Sequence, residues 1–205
     1  MLTQTTTRRF TLDEYHHLIE LGFFHENERV ELIRGEIVQM VAKGTAHTTC
    51  CSNLIRELAR LIAGKAELRC QDPINLPSGS EPEPDFAIVR SAADNYLSAH
   101  PIPADIFLVI EIADSSLNYD KRSLMPPAYR DIKMPLYAEA EIFHYWIFNV
   151  AANQLEAYSE PYQDQQTNFG YRCKRIFLAN QSVEIPLPSS PSLNLSNIFP
   201  KHTSD

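Results

Sequence analysis

The chain has 205 residues, of which 44% are hydrophobic and 21% are charged, a composition typical of one globular α+β or α/β domain with a substantial core. Its net charge of −8 at pH 7 argues against non-specific binding to nucleic acid, because such binding depends on lysine and arginine. The net charge does not exclude an enzyme that binds nucleic acid through a local basic patch. The four cysteines include no C-x-x-C pair, so neither a zinc site nor a disulfide framework is expected.

The chain begins with MLTQTTTRRF, which lacks the apolar segment of a secretory signal. No apolar run in the sequence is long enough to cross a bilayer. We therefore expect a reduced, cytoplasmic protein without a membrane partner.

The first part of the chain predicts a helix, a hairpin and a second helix. Thr11 followed by Glu14 has the pattern of a capping box, so a short helix is expected from there to Gly22. The segment RVELIRGEIVQM predicts two strands that meet at a turn, Arg34–Gly35. Apolar residues at helical spacing predict the second helix over residues 47–63.

Strands dominate the rest of the chain. ELRCQDPINL predicts one strand or two, broken at Pro73, and PDFAIVR predicts another. DIFLVIEIA is the most apolar run and is expected to be a central strand. IKMPLYAEAEI predicts a helix with Pro135 in its first turn, followed by a hairpin of HYWIFNV and NQLEAYS and a strand around YRCKRIFLA. This order fits one mixed sheet flanked by helices.

The domain organisation expected from this pattern is simple. Residues 1–188 are predicted to form a single domain, and residues 189–205, which are rich in proline and serine, a C-terminal surface extension with a frayed end.

Two carboxylates stand where a buried strand is predicted. Asp85 opens the apolar run that follows EPEP, and Glu111 lies inside DIFLVIEIAD. Burying an unpaired charge is costly, so each carboxylate should have a cation, a partner or a proton. If the two strands are neighbours, the carboxylates can converge, and Mg²⁺ suits such a pair. The alternatives are that each pairs with lysine or arginine, or that Asp85 caps a turn after Pro84.

Three further residues are candidates for the same chemistry. Lys133, near the start of the IKMPLYAEAEI helix, could orient a water and stabilise charge on phosphate, or be an ordinary solvated lysine. Glu36 follows the hairpin turn and could supply another carboxylate to a metal, or lie exposed. His47 opens the second helix and could cap it, bind a phosphate or lie at the surface.

At these residues the chain resembles a known family. RVELIRGEIVQM, His47, EPEPDFAIVR, DIFLVIEIADSSLNYD and KMPLYAEAEIFHYWIFNV occur in the order typical of the putative restriction-endonuclease-like proteins, a bacterial family of the PD-(D/E)XK nuclease superfamily. The resemblance covers roughly residues 10–160. It implies an α+β, restriction-endonuclease-like fold, with a mixed sheet flanked by helices. It also implies an endonuclease that cuts DNA with Mg²⁺ or Mn²⁺, and by analogy a homodimer.

The resemblance also assigns roles to the two acids. Asp85 corresponds to the Asp of the "PD" element and Glu111 to the acid of the second element. These two, with the main-chain carbonyl of Ile112, would hold the metal.

The remaining motif residues are carried over in the same way. The lysine expected two residues after the second acid is replaced by Ala113, which points to Lys133 in the following helix. An insertion, SLMPPAYR, precedes that helix and leaves Lys121 as a second candidate. Glu36 corresponds to the acid of the hairpin and His47 to the histidine of the family.

Two other interpretations stay open. The first is a catalytically inactive nuclease-fold module that binds nucleic acid or a protein partner, which metal-dependent nicking would distinguish from an enzyme. The second is a structural protein whose buried acids are ion-paired, in which case Mg²⁺ would leave stability unchanged.

Overall fold

A computed structural model of the chain describes residues 7–25, 28–40, 42–114 and 129–200. The helices and strands in chain order are α1 (Leu12–Glu20), β1 (Val30–Ile33), β2 (Glu36–Gln39), α2 (Thr45–Ile62), β3 (Glu67–Cys70), β4 (Phe86–Val89), β5 (Ile106–Ala113), α3 (Tyr129–Glu139), β6 (His144–Asn149), β7 (Gln154–Gln163), β8 (Phe169–Leu178), β9 (Ser182–Glu184) and β10 (Ser192–Asn194). No helix in these described ranges combines the length and apolar character that crossing a bilayer requires.

The main sheet has six strands in the order β3-β4-β5-β6-β7-β8. The β5–β6 pair is parallel and every other neighbouring pair is antiparallel. The prediction of one mixed sheet flanked by helices is therefore confirmed, and β5 lies inside the sheet as its apolar sequence indicated.

Both faces of the sheet are covered at β4, which explains why every residue of that strand is apolar. Alternate residues of a strand point to opposite faces. Phe86 and Ile88 of β4 pack on one side against α2 and the C-terminal segment. Ala87 and Val89 pack on the other side with residues of α3 and the β1–β2 hairpin.

The local signals of the first part of the chain are confirmed. The Thr11 side chain accepts a hydrogen bond from the Glu14 N–H (3.2 Å), and the Glu14 carboxylate accepts one from the Thr11 N–H (3.1 Å). This is the predicted capping box of α1. The hairpin turn places Arg34 at φ 51° and Gly35 at φ 78°, as a two-residue turn between strands requires. A Cβ at position 35 would lie 2.6 Å from Arg9 Cβ, so the turn also needs glycine for space.

The start of α3 differs from the prediction. The helix begins at Tyr129, so Pro135 lies in its interior and not in its first turn. Because proline has no N–H, α3 lacks the hydrogen bond that position 135 would donate one turn back. Leu136 and Tyr137 are fully buried next to the proline, and this packing stabilises the helix where its backbone pattern is interrupted.

The C-terminal segment also differs from the prediction. Residues 189–200 are not a surface extension, because β10 pairs with β9 and places Leu193 opposite Val183. Leu193 and Ile198 are fully buried in the core beside α2. Asn53 of α2 donates a hydrogen bond to the Ile198 carbonyl at 3.0 Å. Residues 201–205 lie outside the described residues.

Candidate active site

The register of β4 and β5 brings Asp85 and Glu111 together. Phe86 pairs with Ile110 in this antiparallel ladder, so the next position along places Asp85 beside Glu111. The Asp85 N–H lies 3.4 Å from Glu111 Oε2. The two strands are neighbours, which is the condition under which the sequence allowed the carboxylates to converge.

Asp85 is held by three donors. Its Oδ2 atom accepts a hydrogen bond from the Ile112 N–H at 2.9 Å and lies 3.1 Å from His47 Nε2. Its Oδ1 atom lies 2.9 Å from Lys43 Nζ. Burial acts to raise the pKa of Asp85, but the hydrogen bond and charge of His47, followed by Lys43 and the Ile112 N–H, lower it to about 2. The carboxylate is therefore ionised at neutral pH.

His47 lies inside α2 and does not cap it. The N-cap of α2 is Gly44, and His47 is the third residue of the helix. Its ring is buried and reaches the Asp85 carboxylate through Nε2. Its other ring nitrogen, Nδ1, is buried without a hydrogen-bond partner among the residues described. The side chain thus belongs to the carboxylate site and not to the exposed surface.

Glu111 has a different environment from Asp85. Its Oε1 atom lies 3.1 Å from Lys133 Nζ and accepts a hydrogen bond from the Tyr137 hydroxyl at 2.9 Å. Burial raises the pKa of Glu111 to about 7; Lys133 opposes this increase, while the charges of Asp85 and Glu31 add to it. The two neighbouring carboxyl groups therefore titrate far apart, as expected for acids that share a site.

Lys133 reaches the carboxylates despite the insertion that precedes its helix. Its side chain is only 2% exposed. The ammonium group lies 3.1 Å from Glu111 Oε1 and 3.1 Å from Glu31 Oε2, and it donates to the Glu83 carbonyl at 3.2 Å. Burial alone would lower the pKa of Lys133, but the two carboxylates more than offset that effect and hold it above its usual value. The alternative lysine, Lys121, lies outside the described residues.

The acid of the hairpin that reaches the site is Glu31, which the sequence analysis missed. Glu31 is buried, and its Oε2 atom accepts a hydrogen bond from the Glu83 N–H at 3.0 Å in addition to its contact with Lys133. The predicted acid, Glu36, has a side chain that is 69% exposed and lies 3.5 Å from Arg9. The structure does not bring Glu36 into the cluster.

Three residues of the site were not predicted from the sequence, namely Glu31, Tyr137 and Lys43, and the sequence signal for them differs in strength. Glu31 stands between Val30 and Leu32 in a short apolar strand, the same signal that singled out Glu111. Tyr137 resembles any apolar residue of α3. Lys43 lies in a loop, where nothing in the pattern of neighbouring residues points to Asp85.

The oxygens of this cluster fit a hard divalent cation. In each carboxylate one oxygen faces two protein donors. This oxygen is Oδ2 in Asp85 and Oε1 in Glu111. Among the described residues the other two oxygens have one partner each, the Lys43 ammonium 2.9 Å from Asp85 Oδ1 and the Asp85 N–H 3.4 Å from Glu111 Oε2. The described ranges contain no group of three or more His, Cys, Asp or Glu side chains arranged to bind a metal. A cation here would depend on the two carboxylates, water and substrate oxygens, the usual mode for Mg²⁺.

The mixed sheet flanked by helices, with two acids converging from neighbouring strands and a buried lysine on the second acid, is the arrangement that the family resemblance implies. The family model described as "Putative restriction endonuclease", Uma2, matches residues 12–195, and the chain belongs to this family.

Solved structures give the same fold. A putative nuclease belonging to DUF820 from Anabaena variabilis superposes with a TM-score of 0.63 at 15% sequence identity, over 93% of this chain and 97% of the other. No curated protein matches the chain. The predicted restriction-endonuclease-like fold is therefore confirmed, and the family membership supports a nuclease.

Proposed function

We propose that the chain is a Mg²⁺-dependent endonuclease that hydrolyses phosphodiester bonds in DNA, with Asp85 and Glu111 as the metal ligands. The observation that carries the proposal is the register of β4 and β5, which sets these two carboxylates side by side. In each carboxylate one oxygen has a single partner among the described residues. Membership in a family of restriction endonucleases supports nucleic acid as the substrate.

The neighbours of Asp85 prepare it for this role. The Ile112 N–H and His47 hold Oδ2 in place, which leaves Oδ1 as the ligand atom. The low pKa of Asp85, near 2, keeps the carboxylate charged without a metal. The charge and orientation of the Asp85 carboxylate are therefore set before a metal or substrate arrives.

Glu111 would be the second ligand, through Oε2. Tyr137 and Lys133 hold its Oε1 atom. A bound Mg²⁺ would polarise the scissile phosphate and lower the pKa of a water bound beside it. Mn²⁺ would be held by the same oxygen donors.

Lys133 takes a supporting role in this proposal. An ammonium group has three N–H donors, and Lys133 has acceptors in Glu111, Glu31 and the Glu83 carbonyl. We assign it to holding Glu111 in position and to favouring its ionised form, rather than to orienting the attacking water as the family resemblance implies.

One observation favours the second candidate, a nuclease fold that binds nucleic acid without cutting it. Each of the two acids already has a lysine partner, Lys43 on Asp85 and Lys133 on Glu111. A site closed by its own cations would not need a metal. In that case DNA binding would be independent of Mg²⁺, and no strand would be cut.

Nicking of supercoiled plasmid tests the proposal. Wild type, Asp85→Asn and Asp13→Asn are compared with Mg²⁺, with Mn²⁺ and with EDTA. Asp13 is an exposed residue of α1, so its variant makes the same substitution away from the site. We expect nicking by wild type and Asp13→Asn with either metal, and none by Asp85→Asn or in EDTA. Nicking by a folded Asp85→Asn variant would remove Asp85 from the mechanism.

A further inference from the structure

Lys43 is a charged residue of the site to which the sequence pattern assigns no role. It directly precedes Gly44, the N-cap of α2. Its Nζ atom lies 2.9 Å from Asp85 Oδ1, and its side chain is 23% exposed, against 8% for Asp85. Lys43 is therefore the partner of Asp85 that is most accessible to solvent, since the His47 side chain is only 9% exposed.

The Asp85 oxygen under Lys43 is also the one that a metal would need. Oδ2 already accepts the Ile112 N–H and faces His47, so a cation must bind through Oδ1. Mg²⁺ sits about 2.0–2.1 Å from a carboxylate oxygen. An ammonium group on the same oxygen has charge of the same sign and would be repelled at that distance. The lysine and the metal therefore compete for one atom.

Lys43 differs from the other lysine of the site in its freedom to move. Lys133 is 2% exposed and has three acceptors around its ammonium group. Lys43 lies in a loop with its side chain partly in solvent. A lysine has a flexible four-carbon stem and a compact charge, so the ammonium group of Lys43 can leave Asp85 without breaking a buried network.

We propose that Lys43 is an exchangeable cation: it occupies Asp85 Oδ1 in the metal-free protein, yields that oxygen to a divalent cation, and then binds a phosphate of the substrate. The inference rests on the proposed function, since it takes Asp85 as a metal ligand. While the metal is absent, Lys43 offsets the charge of a buried carboxylate. Once displaced, its ammonium group lies at the solvent side of the site, where a phosphate of DNA would approach.

Calorimetric titration with Mg²⁺ tests the exchange in wild type, Lys43→Met and Lys65→Met. Lys65 is an exposed lysine just after α2, so its variant removes the same charge from the chain but not from the site. We expect Lys43→Met to bind Mg²⁺ about tenfold more tightly than wild type, and Lys65→Met to match wild type. Equal or weaker binding by Lys43→Met would overturn the proposal. If Lys43→Met binds Mg²⁺ and wild type does not, the proposal is supported.

The phosphate contact is tested by fluorescence anisotropy of a labelled DNA duplex, with Ca²⁺ in place of Mg²⁺. We expect Lys43→Met to bind the duplex about tenfold more weakly and to reduce the salt dependence of binding by about one phosphate contact. Lys43→Arg, which keeps the charge, should restore most of the affinity. Unchanged duplex binding by Lys43→Met would overturn the proposal.

Failure of this inference and failure of the proposed function give different results. If wild type and Lys43→Met both bind no Mg²⁺ and cut no plasmid, both proposals fail. If wild type binds Mg²⁺ and Asp85→Asn does not, while Lys43→Met binds as wild type does, the metal site stands and only the exchange by Lys43 is overturned.

Discussion

Glu31 and Glu111 share one cation, because each places a carboxylate oxygen 3.1 Å from the same buried ammonium group, that of Lys133. Glu31 comes from the β1–β2 hairpin and Glu111 from the main sheet, whereas Lys133 belongs to α3. The ion pair network therefore joins three parts of the fold at the candidate active site. Its members support both the stability of the domain and the position of Glu111.

Lys133→Met should be strongly destabilising. It leaves the carboxylates of Glu31 and Glu111 buried without their cation, and removing one partner of a buried ion pair costs about 3–5 kcal/mol. Lys65→Met, at an exposed position, should change stability by no more than about 0.5 kcal/mol. Urea unfolding of both variants measures the difference. A loss below about 1 kcal/mol for Lys133→Met would show that the acids do not depend on this lysine.

The two acids of the hairpin should behave differently. Glu31→Gln removes the buried negative charge beside Lys133 and should lower the free energy of unfolding by about 1–3 kcal/mol. It should also reduce nicking, because Lys133, which holds Glu111, loses its ion pair with Glu31. Glu36→Gln changes an exposed side chain and should stay within about 0.5 kcal/mol of wild type. Urea unfolding and plasmid nicking of the pair give the answer. A larger loss of stability and nicking in Glu36→Gln than in Glu31→Gln would show that Glu36, and not Glu31, is the acid of the site.

Asp85 should make the stability of the metal-free protein depend on acid pH. Its pKa falls from 3.8 to about 2 on folding, so its contribution is present above pH 3.8 and is lost as the pH falls toward 2. The contribution that disappears amounts to about 2 kcal/mol. We expect the difference in unfolding free energy between wild type and Asp85→Asn to shrink by that amount from about pH 5 to about pH 2. A difference that stays constant over this range would contradict the lowered pKa.

Much of the fold could be predicted from the sequence because local and tertiary signals agree. The apolar run of β5 is buried on both faces, as such a run requires. The capping box at Thr11 and the turn at Arg34–Gly35 place α1 and the hairpin correctly. Asp85 and Glu111 could be identified because a charge inside an apolar strand needs a partner.

The rest depends on contacts between distant segments. Lys43 reaches Asp85 from a loop 42 positions earlier in the chain, and no local pattern marks such a pairing. Pro135 by itself predicts a helix start, yet the packing of Leu136 and Tyr137 places it in a helix interior. Proline and serine in the C-terminal segment obscured the apolar residues that it contributes to the core.

The C-terminal segment should be required for a stable fold. A chain that ends after residue 188 lacks four buried residues of the core, which are Leu193, Leu195, Ile198 and Phe199. We expect it to lose cooperative unfolding, whereas a chain ending after residue 200 should unfold as the full chain does. Leu193→Ala alone should cost about 2–5 kcal/mol. A 1–188 chain as stable as the full chain would show that residues 1–188 form a complete domain.

Electron paramagnetic resonance of the free ion measures how much Mn²⁺ is bound by wild type, Asp85→Asn and Glu111→Gln, and so tests whether these two acids hold a metal. We expect wild type to bind Mn²⁺ and each variant, while still folded, to bind it at least about tenfold more weakly. Equal binding by all three proteins would contradict the claim that Asp85 and Glu111 together hold the metal.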